Sequence, residues 1–174
     1  MAYDIYTTFE ESMYETIHNV NSLLGIDCEV IISHQNGVEP PKDYVVINTL
    51  SIVATGRADA QNNAMIFNNG GIKQYSVQNY EVSVQLTFVG VSAGNNATLY
   101  HSQYSGNVAA REIYTKNNLA IRRRTGIRRT PQQREGIWVN AFAFDLTLGF
   151  AVRTSQELDW ADYITVNGNK IPLI

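Results

Sequence analysis

Tyr80-Glu81-Val82-Ser83-Val84-Gln85-Leu86-Thr87-Phe88-Val89-Gly90 alternates apolar and polar side chains almost without interruption. Successive strand residues point to opposite faces of a sheet. Tyr80, Val82, Val84, Leu86 and Phe88 therefore share one face, and Glu81, Ser83, Gln85 and Thr87 the other. This predicts a strand over 78–90 with one face buried and one wet or set against a polar partner. Residues 137–153 have the same character. Trp138, Phe142, Phe144, Leu146, Leu148, Phe150 and Val152 fall on one side, against Val139, Ala141, Ala143, Asp145, Thr147 and Gly149.

Working outward, residues 26–34 and 43–56 read as further strands. The closing stretch Tyr163–Ile174 reads as a terminal strand or hairpin turning at Asn167-Gly168, a strong two-residue hairpin signal. Ile5, Phe9, Met13, Ile17, Val20 and Leu24 recur at spacings of three and four, which predicts an amphipathic first helix. Thr8 and Glu11 resemble a capping box, and Gly25 is placed to end the helix. A second helix is expected from Ala97 to about Lys116, weakened in its middle by Gly106. Asn36-Gly37 and Glu39-Pro40-Pro41 read as turn and loop, and the polar, Asn-rich residues 57–71 as a surface loop. The expected fold is α+β: a mainly antiparallel β-sheet with two main helices packed on one face, in a single compact domain over residues 1–174. A chain of 174 residues is long enough to bury about two-thirds of its unfolded surface without metals or disulfides.

Sites for chemistry are sparse. The single cysteine, Cys28, excludes an internal disulfide and a cysteine metal cluster, and it lies in an apolar stretch that suggests a buried structural thiol. His18, His34 and His101 form no paired metal motif, and neither a nucleophile elbow nor a phosphate-cradling GxxxxGK[ST] loop occurs. No cofactor, metal or enzyme activity is expected. No apolar run approaches the ~20 residues of a membrane helix, and the N-terminus lacks a basic-then-apolar leader, so no membrane partner is expected.

Charge is the exception. Residues 1–50 hold eight acids and one lysine, whereas residues 101–150 hold eight bases and three acids. Six arginines, Arg122, Arg123, Arg124, Arg128, Arg129 and Arg134, fall between positions 121 and 136, a segment read as Arg-rich loop or strand. If residues 121–124 are extended, Arg122 and Arg124 point one way and Arg123 the other. Three readings compete: a solvated charged loop, guanidinium forks pairing with carboxylates of an adjacent subunit, and contact with a DNA backbone. Aromatic stacking platforms, the usual companions of single-strand recognition, are absent between Lys116 and Ile137. Glu10, Glu11 and Glu15 on the first helix are the candidate acidic partners.

The long strand at 80–90, the small-residue helix segment Ala109-Ala110-Arg111-Glu112-Ile113 and the strand from Trp138 to Phe150 stand in one arrangement. With the leading helix and the stretch from Asp159 to Val166, this layout resembles the neck or tail terminator (tail completion) proteins of tailed bacteriophages. The resemblance implies a structural virion protein of the neck or tail, assembled in the host cytoplasm. It would form a homo-oligomeric ring, usually a hexamer, that caps the tail tube, stops its polymerisation and joins it to the head connector or stopper protein. Genomic DNA would pass through the ring non-specifically. The alternative is a DNA-binding accessory or head-completion protein that uses the Arg122–Arg134 cluster.

Overall fold

The computed structural model describes residues 4–34, 40–56, 64–68, 71–104, 106–134, 136–158, 163–166 and 169–172, with side chains described except at 64–76, 134 and 154–172. Asn36-Gly37, residues 57–63 and Asn167-Gly168 lie outside this set. The chain divides into two compact units, residues 1–55 with 79–151 and residues 56–78 with 152–174.

The first unit opens with helix α1 (Ile5–Leu24). Asp4, not Thr8, caps it: its carboxylate accepts from Tyr6 N at 3.0 Å and Thr7 Oγ1 at 2.6 Å. Thr8 is already inside the helix and donates its hydroxyl to Asp4 O. Asp4 was the better choice because the apolar stripe begins at Ile5, one residue after it. Gly25 ends the helix as expected, in the left-handed region at φ 68°.

Strands β1 (Glu29–Ile32), β2 (Tyr44–Thr55), β4 (Gly71–Val89), β9 (Ala141–Leu158) and β5 (Leu119–Arg124) lie side by side in the order β1-β2-β4-β9-β5. The β1–β2 pair is parallel, with Glu29 opposite Tyr44 and Ile32 opposite Ile47, and β2–β4 and β5–β9 are antiparallel. The α+β class and the mainly antiparallel sheet stand as expected.

Among the described residues three helices, not two, accompany the sheet, because the expected 97–116 helix is interrupted. Helix α2 covers Ala93–Gln103 and α3 covers Val108–Lys116. Asn107 starts the second afresh, its side-chain oxygen accepting from Ala109 N at 2.9 Å and Ala110 N at 3.4 Å. In one straight helix Tyr100 and Tyr114 would stand about 21 Å apart along the axis. The break instead folds α3 back so that their buried hydroxyls meet at 2.6 Å. Helix α2 is launched by Asp43, whose carboxylate accepts from Val91 N at 2.9 Å and Ser92 N at 2.7 Å. Gly90 makes room for it: φ is +127°, and a Cβ there would come within 2.1 Å of Asp43 Oδ1.

The predicted apolar faces build the core. Val82, Val84, Leu86, Phe88, Phe144, Leu146, Leu148 and Phe150 are buried under Phe9, Met13, Ile17 and Val20 of α1 and Tyr100 of α2. Phe9 meets Phe150 edge-on at 5.5 Å, and Phe88 stacks with Phe144 at 6.2 Å. Burial of each such side chain contributes roughly 1.5–3 kcal/mol, which makes this face the main source of stability. The opposite face is not wholly wet. At one end Tyr44, Val89 and Ala141 form a second small buried cluster with Ile31, Val46 and Val139.

Trp138 departs from expectation. The chain leaves the sheet at Asn140, whose carbonyl accepts from Gly90 N, so residues 137–139 do not continue β9. They form β8 (Ile137–Val139), paired with β7 (Gln132–Arg134) in a separate hairpin where Ile137 is 70% and Trp138 67% exposed. Short β6 (Arg128–Arg129) pairs with β9.

In the second unit, part of the stretch read as a 57–71 loop is strand. β3 (Ala64–Asn68) pairs with the start of β4, Ala64 opposite Tyr75 and Asn68 opposite Gly71. Its apolar Ala-Met-Ile-Phe run was overshadowed by the flanking asparagines. Strands β10 (Tyr163–Val166) and β11 (Asn169–Pro172) form the expected antiparallel hairpin.

Candidate functional site

Most of the arginine segment is strand. β5 carries Arg122 to Arg124, β6 carries Arg128 and Arg129, and Arg134 closes β7. A register shift in β5 decides where the first three point. Ile121 stands opposite Leu148, Arg123 opposite Thr147 and Arg124 opposite Leu146, which leaves Arg122 as an extra, bulged residue. The simple alternation is therefore broken, and Arg122 and Arg124 lie on opposite sides of the sheet.

Arg122 lies over the face without helices and pairs with Glu81 at 2.9 Å. Gly149 beneath it keeps the way open, since a Cβ there would sit 3.1 Å from Arg122 Nε. Arg124 turns toward α2. Its Nη1 donates to the His101 carbonyl, and its guanidinium carbon stands 5.5 Å from the centre of the Tyr104 ring. The missing aromatic partner thus arrives from another element.

Arg128 grips Asp145 with both amino groups, at 2.9 and 2.7 Å, and Gln85 Nε2 adds a third donor at 3.1 Å. These contacts, the Arg128 bond first, hold the Asp145 carboxyl below the ordinary aspartate range, and the same bond raises Arg128. Arg129 donates to Asn140 Oδ1 at 3.0 Å. Arg123 is exposed and has no partner among the described residues. The Arg134 side chain lies outside the described set.

The six arginines are therefore not one patch. Four of them are tied to acceptors within the chain. What they leave is an open groove of about 550 Å³ between α3 and β5, lined by Arg111, Arg122, Arg123, Arg124, Tyr104 and Thr115. Arg111, on α3, did not stand out in the sequence because it is a lone basic residue in an ordinary helical pattern. Of the candidate acids, Glu10 accepts from Thr49 Oγ1 of β2 at 3.0 Å, while Glu11 and Glu15 are exposed on α1.

Guanidinium groups held at known positions bind and position anions. Cys28, the one thiol, is half-buried against Asn21 Nδ2, and its pKa is pushed up to about 12 by burial first and then by Asp43 and Asp27. It keeps its proton at neutral pH and is a poor nucleophile. Among the described residues no three His, Cys, Asp or Glu side chains gather as metal ligands, and no helix is long and apolar enough to cross a membrane.

No curated protein sequence matches the chain. A family model described as phage neck terminator protein matches residues 11–172, from within α1 to the last residue of β11. That range takes in the helices, the sheet, the arginine segment and the groove beside it, in agreement with the layout read from the sequence; the chain belongs to the phage neck terminator protein family.

Proposed function

We propose that copies of this chain assemble into a ring, a hexamer, at the neck of a tailed phage particle. The ring caps the tail tube, stops its growth and joins it to the head connector or stopper protein, with the genome passing through its hole. It acts through assembly and not through catalysis, and it is built in the host cytoplasm before it enters the virion.

The observation that carries this reading is the separation of charge between two surfaces of one chain. Among the described residues β1 and β5 each have a neighbour on one side only. Helix α1, which packs on β1, β2 and α3, exposes Glu11 and Glu15, and the arginine groove opens between α3 and β5. Two different, complementary surfaces on one chain favour head-to-tail contacts, which close into rings when the rotation per step permits. The exposed Ile137 and Trp138 of the β7–β8 hairpin are a further candidate contact, for the tube or the connector. The DNA-binding reading loses ground, because Arg122, Arg124, Arg128 and Arg129 are engaged within the chain.

Negative-stain imaging and light scattering of the purified protein, alone and with tail tubes, test this. Closed rings seated on tube ends, with tube growth arrested, are expected. A protein that stays monomeric at all concentrations and leaves tubes growing refutes it.

A further inference from the structure

The groove between α3 and β5 holds cations of two kinds. Arg122 and Arg124 are fixed in place, by Glu81 on one side and by the His101 carbonyl and Tyr104 ring on the other. Arg111 and Arg123 are exposed, and neither has a carboxylate partner among the described residues. A groove lined by both fixed and unpaired guanidiniums is suited to an occupant with closely spaced carboxylates.

Such a pair exists on the same chain. Glu11 and Glu15 are one helical turn apart on α1, both exposed and both unpartnered among the described residues. Side chains at this spacing face the same way about 5–6 Å apart, and two like charges so placed repel each other. The repulsion persists in the free chain and is relieved when cations are supplied. Within one copy they form no ion pair with the groove's arginines among the described residues, although α1 reaches α3, where Asn117 Nδ2 donates to Thr16 Oγ1 at 2.8 Å.

We propose that the Arg111–Arg123 groove of one copy receives the Glu11–Glu15 face of α1 from the next copy. This rests on the reading of the protein as a ring subunit and names the lateral contact that builds the ring. Among the described residues only two of the arginines lining the groove are unengaged, so it offers a DNA duplex few phosphate contacts; the acidic helix face of a second copy matches its sign.

The test is charge reversal in the full chain. R111E/R123E puts acid in the groove, and E11R/E15R puts base on the helix. All four positions are exposed, so both variants are expected to keep the wild-type far-ultraviolet spectrum and melting temperature. Each alone is expected to associate roughly tenfold to a hundredfold more weakly than wild type, an effect that shrinks as salt rises. Mixed in equal amounts they are expected to recover assembly, because each presents the charge the other needs, and an even-numbered ring can alternate them. If both folded variants assemble like wild type, the ring reading stands and this contact is wrong. If both are monomeric and the mixture stays monomeric, the contact is also wrong. If wild type itself never assembles, the ring reading fails first. Salt-sensitive DNA binding lost in R111E/R123E, with assembly intact, would overturn the proposal in favour of a nucleic-acid site.

Discussion

Replacing Tyr114 by phenylalanine removes one oxygen from the centre of the first unit. Tyr100 and Tyr114 are each almost fully buried, and their hydroxyls lie 2.6 Å apart. Burial drives both phenol pKa values upward, Tyr100 with help from the neighbouring Tyr114 and Tyr114 despite the lowering effect of their mutual bond. Both stay neutral across the usual pH range. The bond itself is worth about 0.5–1.5 kcal/mol, but an orphaned buried hydroxyl costs about 1–3 kcal/mol. Y114F and Y100F are therefore each expected to lose about 1–3 kcal/mol. The double variant Y100F/Y114F leaves nothing to satisfy and is expected to fall within about 1 kcal/mol of wild type. Urea denaturation at fixed protein concentration, with an unchanged slope, measures all three, and at this chain length each kcal/mol corresponds to about 2–4 °C of melting temperature. A double variant as unstable as the two singles added together would refute the reasoning, since it would mean that the rings' packing is altered and not the hydrogen bond. Because this pair ties α2 to α3 across their break, the single variants are also expected to loosen the groove wall that carries Arg111 and Tyr104.

Three further outcomes follow from the structure. Asp145 titrates below its unfolded value of about 3.9, so the unfolded chain takes up its proton first as pH falls. The stabilisation it gives is present above about pH 4 and lost below, so wild type and D145N should differ by about 0.5–1 kcal/mol at neutral pH, discounted for solvent around Arg128, and converge in acid; a difference independent of pH would contradict this. Gly90→Ala drives a methyl group into Asp43 at a positive φ, and a loss of more than about 2 kcal/mol is expected in thermal melts, against about 0.5–2 kcal/mol for Asp43→Ala, which removes only the bonds that start α2. Trp138→Ala should change stability by less than about 0.5 kcal/mol, because the side chain lies outside the core; if the ring reading holds, it should weaken tube or connector binding in a pull-down.

The parts of the fold that were legible in the sequence are those written in local periodicity. The alternation at 80–88 placed Val82, Val84, Leu86 and Phe88 correctly in the core, and the stripe from Ile5 to Leu24 placed α1. What escaped depends on partners far along the chain. Arg122 finds Glu81 forty-one residues away, and Asp43 accepts from Val91 N, forty-eight residues after itself, to start a helix. No window of neighbouring residues contains these pairs. The break between α2 and α3 was half visible in Gly106, but its purpose, bringing Tyr100 to Tyr114, is a tertiary one. The arginine cluster shows the same limit. Its density could be read, but not its distribution, because partners in β4, β9 and α2 determine how much of each charge is left over.

The bulge at Arg122 gives that distribution an unusual tolerance of a change in chain length. Ile121 and Arg123 on its two sides are already in step with the consecutive Leu148 and Thr147 of β9, so deleting Arg122 alone would restore plain alternation and leave the facing of Ile121, Arg123 and Arg124 unchanged. Such a deletion would remove the cation over the side without helices, together with its bond to Glu81. Arg122 is in this sense a spare link: β5 can lose it and keep its seating, and only one side of the sheet changes its charge.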